Sequence, residues 1–428
     1  MDTMKFTELT DSEYQHFIET SGEESAFFQM VENKENRELH GEWKVVLLGL
    51  KDKNEKVHAA GLFTKQPTVL GKYFYYSNRG PVLDYDNLTL VRQYFSGLTE
   101  YLKSNDCSYV KVDPNWIYKK YNKDVEAYTD YEPRQEVIDL LQSMGYIHQG
   151  FTRGYSRTSQ ARWMSVLDLS KFKDEKELVK SFDNLRRRNI RKAQKFGVKV
   201  RFLEIDEMDI FVDLFLETAE RQDFFITVDP HQYFKDFKKS YGEKVLVPLA
   251  YIELNPFITK TEKELTELNK QLEQQKNKEN QNKKTINRIA ELERNIQGTE
   301  DDLNEAKTFR EKHGDVLNLG AGVYFVTPYE IVYNSGASSE EFNMFVGPYI
   351  MHLEMMKYAM DHGISRYNFY GVSGDFSPEG EDYGVFRFKR GFNAEIEELV
   401  GDFVKVINPF VHNIFKVKVK LEQKLGRR

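Results

Sequence analysis

The sequence predicts an α/β (α+β) fold built from two copies of one mixed-sheet subdomain, with a helical arm inserted into the second copy. Two observations carry this expectation. One strand–helix order occurs twice along the 428 residues, and its second occurrence is split by a long charged stretch. In the first copy, apolar runs at 45–50 and 57–63 flank a polar turn at 51–56. A third run at 73–76 ends in Ser77-Asn78-Arg79-Gly80-Pro81, a helical pattern covers 88–103, and a last strand at 109–112 stops at Asp113-Pro114. The second copy runs through strands at 245–254, 316–326 and 330–334, the last ending in Ser335-Gly336-Ala337-Ser338-Ser339. A helix at 350–362 and a strand at 366–369 then reach Tyr370-Gly371. The short turn of copy one has become the insert 257–314 of copy two. Chance likeness between short apolar runs is the alternative to duplication. Paired sheet subdomains flanked by helices leave a cleft between them, and ligands occupy clefts. The division expected is 1–150 for the first subdomain, 151–256 with 315–400 for the second, 257–314 for the arm and 401–428 for a basic tail.

Composition narrows the class. Apolar residues make up 40% and aromatics 14%, which suits a folded chain and excludes a disordered one. The single cysteine, Cys107, allows no intramolecular disulfide and no thiolate zinc cluster, as expected in a reducing cytoplasm. No stretch has the apolar length of a membrane span, and Met1-Asp2-Thr3-Met4-Lys5 lacks an apolar signal core, so a soluble cytoplasmic protein is expected. The net charge of −7 argues against unspecific binding along a nucleic-acid duplex. Positive charge is nevertheless concentrated in two places, 185–203 and 411–428, either of which can hold a phosphate-bearing partner.

The insert holds no proline between 259 and 312 and one glycine, Gly298. Its apolar residues fall at Leu265, Leu268 and Leu272, then at Ile286, Ile289, Leu292, Ile296 and Leu303. Three-and-four spacing predicts two amphipathic helices, each with a stripe too narrow for a globular core, zipped into an antiparallel coiled-coil hairpin. The turn must lie within the polar stretch 273–284. Such an arm serves either as a brace or as a guide for a large partner such as a tRNA, and its charge is mostly a solvated face.

The strand–helix order invites comparison with acyl-CoA N-acyltransferase (GNAT-like) folds, which hold a cofactor pyrophosphate on a glycine-rich turn at a helix N-terminus. Neither copy has Gln/Arg-x-x-Gly-x-Gly/Ala at the matching place, and Gly320-Ala321-Gly322 lies inside a predicted strand. No P-loop or dinucleotide fingerprint is present. The nine histidines show no metal-ligand spacing, and no Ser/His/Asp or Cys/His arrangement is recognisable. No cofactor and no metal are therefore expected. Polar residues at strand ends remain: Asp113 before Pro114, Arg79 in its glycine-proline turn, and Lys389 in Phe386-Arg387-Phe388-Lys389-Arg390-Gly391-Phe392. Alternation in that last segment predicts a strand with Phe386 and Phe388 on one face and Arg387 and Lys389 on the other. Asp-Pro is also an ordinary turn starter, and basic edge strands resist aggregation.

Longer strings give a family resemblance. Met4-Lys5-Phe6-Thr7-Glu8-Leu9-Thr10, Tyr76-Ser77-Asn78-Arg79-Gly80-Pro81-Val82, Phe196-Gly197-Val198-Lys199-Val200-Arg201-Phe202-Leu203, Arg366-Tyr367-Asn368-Phe369-Tyr370-Gly371-Val372-Ser373-Gly374 and residues 384–394 run nearly end to end. In these the chain resembles the Fem family of peptidoglycan aminoacyltransferases, its staphylococcal FemB type most closely. The resemblance implies two acyltransferase-like subdomains and a coiled-coil arm. It implies transfer of an amino acid, glycine in this branch, from aminoacyl-tRNA to the free amine of a growing side chain on lipid-linked cell-wall precursor. No nucleotide cofactor is implied, because the tRNA ester is already activated. The partners implied are glycyl-tRNA and a lipid II-type precursor, with a homo- or hetero-oligomer of Fem proteins as a further option. A serine-inserting immunity-type relative, a non-catalytic scaffold recruited through the arm, and a CoA-dependent acyltransferase are the alternatives.

The resemblance also implies site residues. Arg37 stands near a lysine that contacts the muropeptide precursor in some relatives, a change that keeps charge and alters geometry. Arg221, within 217–225, resembles a substrate-phosphate arginine, and Tyr333 a tyrosine lining the same cleft. Asp113 resembles an aspartate near the acceptor amine; Phe388 and Lys389 resemble the pair near the reacting ester. An amine attacking an ester loses a proton, and the tetrahedral oxyanion needs a positive or N–H neighbour. Lys389 is expected to stabilise that oxyanion or to hold the tRNA 3′ end, and Asp113 to orient the amine; the proton acceptor stays open.

The basic run Arg186, Arg187, Arg188, Arg191, Lys192 and Lys195 reads as a helix, so Arg187, Arg191 and Lys195 are candidates for tRNA phosphates, or else form a solvated face. In the tail, Val411, Ile414, Phe415, Val417, Val419 and Leu421 interleave with Lys416, Lys418 and Lys420. Alternation over 415–421 favours a strand, whereas the Leu421/Leu425 spacing favours a helix. Either form leaves a cationic end, so peripheral, salt-sensitive membrane attachment is expected, with a merely docked terminal element as the alternative.

Overall fold

The computed structural model describes residues 4–41, 43–156, 158–222, 226, 228–279 and 282–424. Leu425, Arg427 and Arg428 of the basic tail, together with the first three residues of the signal-core reading, lie outside them. The first half contains β1 (Lys5–Glu8), α1 (Asp11–Thr20), α2 (Glu32–Glu38), β2 (Lys44–Lys51), β3 (Val57–Pro67), β4 (Tyr73–Ser77), α3 (Leu88–Ser104), β5 (Cys107–Val112), β6 (Ile117–Tyr121), α4 (Gln135–Ser143) and β7 (Ile147–His148). The second begins with β8 (Trp163–Asp168), α5 (Glu175–Ser181), α6 (Asn184–Phe196), β9 (Lys199–Phe202), α7 (Met208–Gln222), α8 (Pro230–Tyr241), β10 (Val245–Leu246) and β11 (Pro248–Glu253). It continues with α9 (Leu254–Lys276), α10 (Lys283–His313), β12 (Val316–Val326), β13 (Ile331–Ser338), α11 (Gly347–Asp361), β14 (Arg366–Val372), α12 (Tyr383–Gly391), β15 (Glu395–Leu399), β16 (Phe403–Val406) and α13 (Pro409–Lys424). Among the described residues no helix is long and apolar enough to cross a membrane.

The repeat is visible in the pairing. In the first sheet, β2–β3 and β3–β4 are antiparallel and β4–β5 parallel, with α3 as the crossover. In the second, β11–β12 and β12–β13 are antiparallel and β13–β14 parallel, with α11 as the crossover. The sheets run β1-β2-β3-β4-β5-β16-β7 and β6-β15-β8-β14-β13-β12-β11-β9, with β10 also on β12. The halves exchange strands: β6 pairs with β15 in the second sheet, and β16 pairs with β5 and β7 in the first. The segment read as a basic tail thus opens inside the first sheet.

Local chemistry explains the elements that carry the site. Asn87 caps α3 by accepting the Leu90 N–H at 3.1 Å, and its buried Val91, Tyr94, Phe95, Leu98 and Leu102 recur at three-and-four spacing. They cover Leu48, Phe63, Tyr75 and Val110 of the first sheet, each buried side chain contributing roughly 1.5–3 kcal/mol. Asp183 caps α6 through the Arg186 N–H, and Gly197 ends it in the left-handed region at φ 78°. The second core gathers α6, α11, β14 and the base of the arm around Ile190, Phe196, Phe345, Met356 and Phe369. A third cluster joins the halves: Phe27, Phe28 and Met30 pack among Phe211, Phe237, Tyr241 and Phe325.

The insert forms the expected helical pair, α9 against α10, the first ending at Lys276 and the second opening at Lys283. Leu272, Leu292 and Ile296 form the buried seam, with Leu265, Leu268 and Ile289 packed against it. Two residues of the predicted stripe depart from that seam. Ile286 is exposed, and Leu303 joins the second core because α10 has by then reached the body. Residues 415–421 are helical within α13. The strand predicted through 386–392 is overturned: those residues belong to helix α12 and the turn that follows it. A four-residue alternation is too short to separate the two periods. Phe386 and Lys389 are also i and i+3, and that spacing buries both on one helical face against β8 and β14.

Candidate functional site

Strand β14 breaks its own ladder where the site forms. Its antiparallel pairing with β8 shifts register between Asn368 and Gly371, and Tyr370 adopts φ 68° there. Asn368 Oδ1 accepts the Tyr370 N–H at 2.8 Å, which holds the irregular turn. A bulge of this kind frees backbone groups and re-aims side chains, and bulges are common beside active sites. The freed carbonyls receive Lys389. Its ammonium donates to Gly371 O at 2.7 Å and to Tyr370 O at 3.3 Å from the buried face of α12.

Lys389 is 5% exposed, and no carboxylate among the described residues pairs with it. Burial pushes its pKa down to about 7, against a smaller upward pull from Asp382. An ammonium with two acceptors keeps one N–H in hand. The cleft beside it encloses about 380 Å³ and is lined by Tyr155, Ser159, Gln160, Tyr333, Asn334, Tyr370 and Lys389, among others. Asp382 is bound elsewhere: it accepts from the Ser373 N–H at 2.8 Å and the Tyr155 hydroxyl at 2.8 Å.

Tyr333 lines the same cleft from β13. Its ring lies 4.6 Å from the ring of His352 and 5.1 Å from that of Tyr324. A Cβ at Gly336 would stand 1.4 Å from the Tyr333 hydroxyl, so only glycine leaves the ring in this place. His352 is fully buried, with Nδ1 2.7 Å from the Tyr367 hydroxyl and 3.1 Å from that of Tyr324. Burial, then the neighbouring Lys389 charge, pushes its pKa down to about 3, so it is neutral.

Asp113 occupies the end of β5 in the other half and is 1% exposed. Oδ1 accepts the Arg79 N–H at 2.7 Å, Oδ2 lacks a hydrogen-bond partner, and the Arg79 guanidinium stands 4.0 Å off. Burial pushes its pKa up to about 7, although Arg79 pulls it down. Arg79 itself sits at φ 53° and donates to the Ala161 carbonyl, and Ala161 lines the Lys389 cleft. Asp113 therefore touches the cleft through Arg79 and not directly.

The other sequence candidates are dispersed. Phe388 is absent from the cleft lining and packs against Tyr349, His352 and Phe392, with the Arg186 guanidinium 5.6 Å from its ring. Arg37 lies on α2, which packs on α8; its guanidinium is 5.2 Å from the Trp43 ring and its Nε lacks a partner. Arg221, at the exposed end of α7, donates to Ser338 O at 3.1 Å beside the end of β13. On α6, Arg191 is exposed and Arg187 half-buried, while Lys195 pairs with Glu264 of the arm at 2.9 Å. Arg186, expected among the surface cations, is buried: it donates to Asp183 at 3.1 Å and to Arg387 O at 2.7 Å.

Sequence reasoning missed Tyr155, His352, Ser373 and Asp382. Tyr370-Gly371 and Ser373 stood in a quoted strand-end string; nothing marked Tyr155, His352 or Asp382, which reach the site only through the fold.

Comparison with known proteins places the chain. A family model described as the FemAB family matches residues 9–420. The chain is 48% identical over 424 residues to the aminoacyltransferase FemB of Staphylococcus epidermidis, covering 99% of this chain and 100% of that protein. It is 40% identical over 423 residues to the aminoacyltransferase FemA of the same species, covering 98% and 100%. The crystal structure of FemX superposes with a TM-score of 0.77 at 23% identity, over 96% of this chain and 99% of that one, a likeness of fold. The chain belongs to the FemAB family.

Proposed function

We propose that this FemAB-family aminoacyltransferase transfers glycine from glycyl-tRNA to the free amine of the interpeptide bridge on a lipid II-type peptidoglycan precursor. The observation that supports this reading most is Lys389: a buried ammonium, fixed by two carbonyls of a strand bulge and without a carboxylate partner, lining an open cleft. The acceptor nitrogen attacks the ester carbonyl, the carbonyl–oxygen bond to the ribose breaks, and the amine proton leaves with the departing tRNA hydroxyl. Charge builds on the carbonyl oxygen in between. A pre-oriented N–H aimed at that oxygen lowers the barrier, typically by a factor of about 10²–10³. Because Lys389 has a pKa of about 7 in the free protein, a developing negative charge draws the proton onto it and strengthens the contact.

The remaining candidates take supporting roles in this reading. Asp113 orients the incoming amine indirectly, by holding the Arg79 turn whose guanidinium reaches the cleft wall at Ala161. Tyr333 shapes the cleft wall, and Phe388 fixes α12 by packing and so fixes Lys389. Arg37 meets the muropeptide precursor and Arg221 a substrate phosphate, and Arg187 and Arg191, with Lys195 at the arm base, meet tRNA phosphates.

The reaction is tested by following labelled amino acid from charged tRNA onto lipid II carrying bridges of defined length. Incorporation from glycyl-tRNA onto a partial glycine bridge is expected. No incorporation from glycyl-, seryl- or alanyl-tRNA at any bridge length overturns the reading, and incorporation from seryl-tRNA alone replaces glycine with serine. Charge reversal of Arg187, Arg191 and Lys195 is expected to weaken charged-tRNA binding and flatten its salt dependence.

A further inference from the structure

Helix α13 has two apolar faces. Val411, His412 and Phe415 turn toward the first sheet, with the His412 and Phe415 rings 4.6 and 6.1 Å from the ring of Tyr109 on β5. On the other side Phe410, Ile414, Val417 and Leu421 stand 70, 38, 58 and 55% exposed. At about 100° per residue, these four fall within about 60° of one another, a stripe roughly 16 Å long. Exposed Lys418 flanks the stripe on one side, and exposed Lys416 and Lys420 flank it on the other. Glu422, 3.8 Å from Lys418, is the one acid between Pro409 and Lys424. The alternation of apolar and basic residues arises from these two faces, with lysines at their boundaries.

We propose that α13 lies in the plane of an anionic lipid surface and docks the chain on it, the apolar stripe entering the headgroup boundary and the lysines meeting lipid phosphates. An apolar stripe edged by cations is what such an interface selects, because lysine stems reach from the apolar level to the phosphates. A second copy of the chain fits worse: pairing two such stripes sets lysine rows against each other. Nucleic acid has a use for the lysines but none for Phe410 or Val417. The inference does not rest on the proposed reaction, since no substrate is involved.

The full-length chain is floated with vesicles of phosphatidylcholine alone, and with vesicles containing about 30 mol% phosphatidylglycerol, at low and high salt. Two triple variants accompany it: Phe410→Ser/Val417→Ser/Leu421→Ser and Lys416→Glu/Lys418→Glu/Lys420→Glu. All six residues are exposed, and thermal melting verifies that each variant is folded. The wild type is expected to float with anionic vesicles only and to be released by salt. The apolar variant should lose about tenfold in partition, and charge reversal about a hundredfold, at about fivefold per lysine. Wild-type flotation with neutral vesicles alone, or no flotation at all, overturns the proposal. So does unchanged partition in either variant. Loss of tRNA binding in the lysine variant without loss of flotation assigns the face to nucleic acid, and a dimer abolished by the apolar variant without loss of flotation assigns it to a second copy; each overturns the proposal.

Discussion

The two repeats put opposite charges in comparable places. Each has a parallel strand pair closed by a crossover helix, and an ionisable group of opposite sign lies buried beside each pair: Asp113 just past β5, Lys389 against the β14 bulge. Burial drives both toward neutrality from opposite sides, the carboxyl up to about 7 and the ammonium down to about 7. Their surroundings differ. Asp113 faces a guanidinium, belongs to an ordered strand end and touches the cleft only through Arg79. Lys389 meets only backbone carbonyls, depends on a bulge and lines the cleft directly. The comparison teaches that the repeat supplies a common frame, while a local break in one copy brings a buried lysine to the cleft.

Removing the lysine should have the largest effect. Lys389→Met is expected to lower single-turnover transfer by about 10²–10³, the size of one lost oxyanion contact, with the fold intact by circular dichroism. Loss below about threefold would place the two repeats on an equal footing and end the asymmetry argued here. Next is Gly336→Ala. Its Cβ would occupy the position of the Tyr333 hydroxyl, so the ring must leave its place. About a tenfold fall in transfer is expected from the disturbed wall, and unchanged kinetics would remove Tyr333 from the site.

Asp113→Asn separates the halves by pH. A carboxyl whose folded pKa is raised from 3.8 to about 7 contributes stability below pH ~4 that is lost as pH rises through about 7. Lys389, lowered from 10.5 to about 7, makes the native state gain stability as pH rises from about 7 toward 10.5. Denaturant titrations at pH 4 and pH 8 should therefore show Asp113→Asn gaining roughly 2–4 kcal/mol on wild type across that interval. Parallel curves would show that Asp113 ionises freely. The smallest effect belongs to Glu264→Ala, which frees Lys195 from an exposed pair at 2.9 Å. Stability should change by less than about 1 kcal/mol, while charged-tRNA affinity holds or rises.

Much of the frame was legible in the sequence because period-2 runs and breakers mark each strand of both repeats, and the proline-free insert carries a three-and-four stripe. The site was legible only in part. Asp113 and Tyr333 stand at or on strands as read, and Lys389 was singled out, but its segment was read with the wrong period. Four alternating residues fit a strand and a helix equally, and only packing against β8 and β14 decides between them. The bulge at Tyr370 left no local signal beyond a glycine, and Asp382 and His352 reach the site from distant turns of chain. The basic run misled at Arg186, since charge alone does not tell a surface cation from one buried over Phe388. The alternating tail left strand and helix open for a related reason: a helix with two apolar faces imitates a strand, and α13 takes the helical alternative.

The central claim is that a buried, charged Lys389 stabilises the transition state of acyl transfer. It is tested most directly by the pH dependence of kcat/KM for glycyl-tRNA, corrected for spontaneous ester hydrolysis, in wild type and Lys389→Arg. Arginine keeps its charge throughout the accessible range. Wild type should lose activity as pH rises, with a midpoint near the pKa of about 7 that burial imposes on Lys389. Lys389→Arg should be slower overall and lack that alkaline limb. Identical limbs in the two proteins, or a wild-type rate that climbs steadily through pH 9, would contradict the claim.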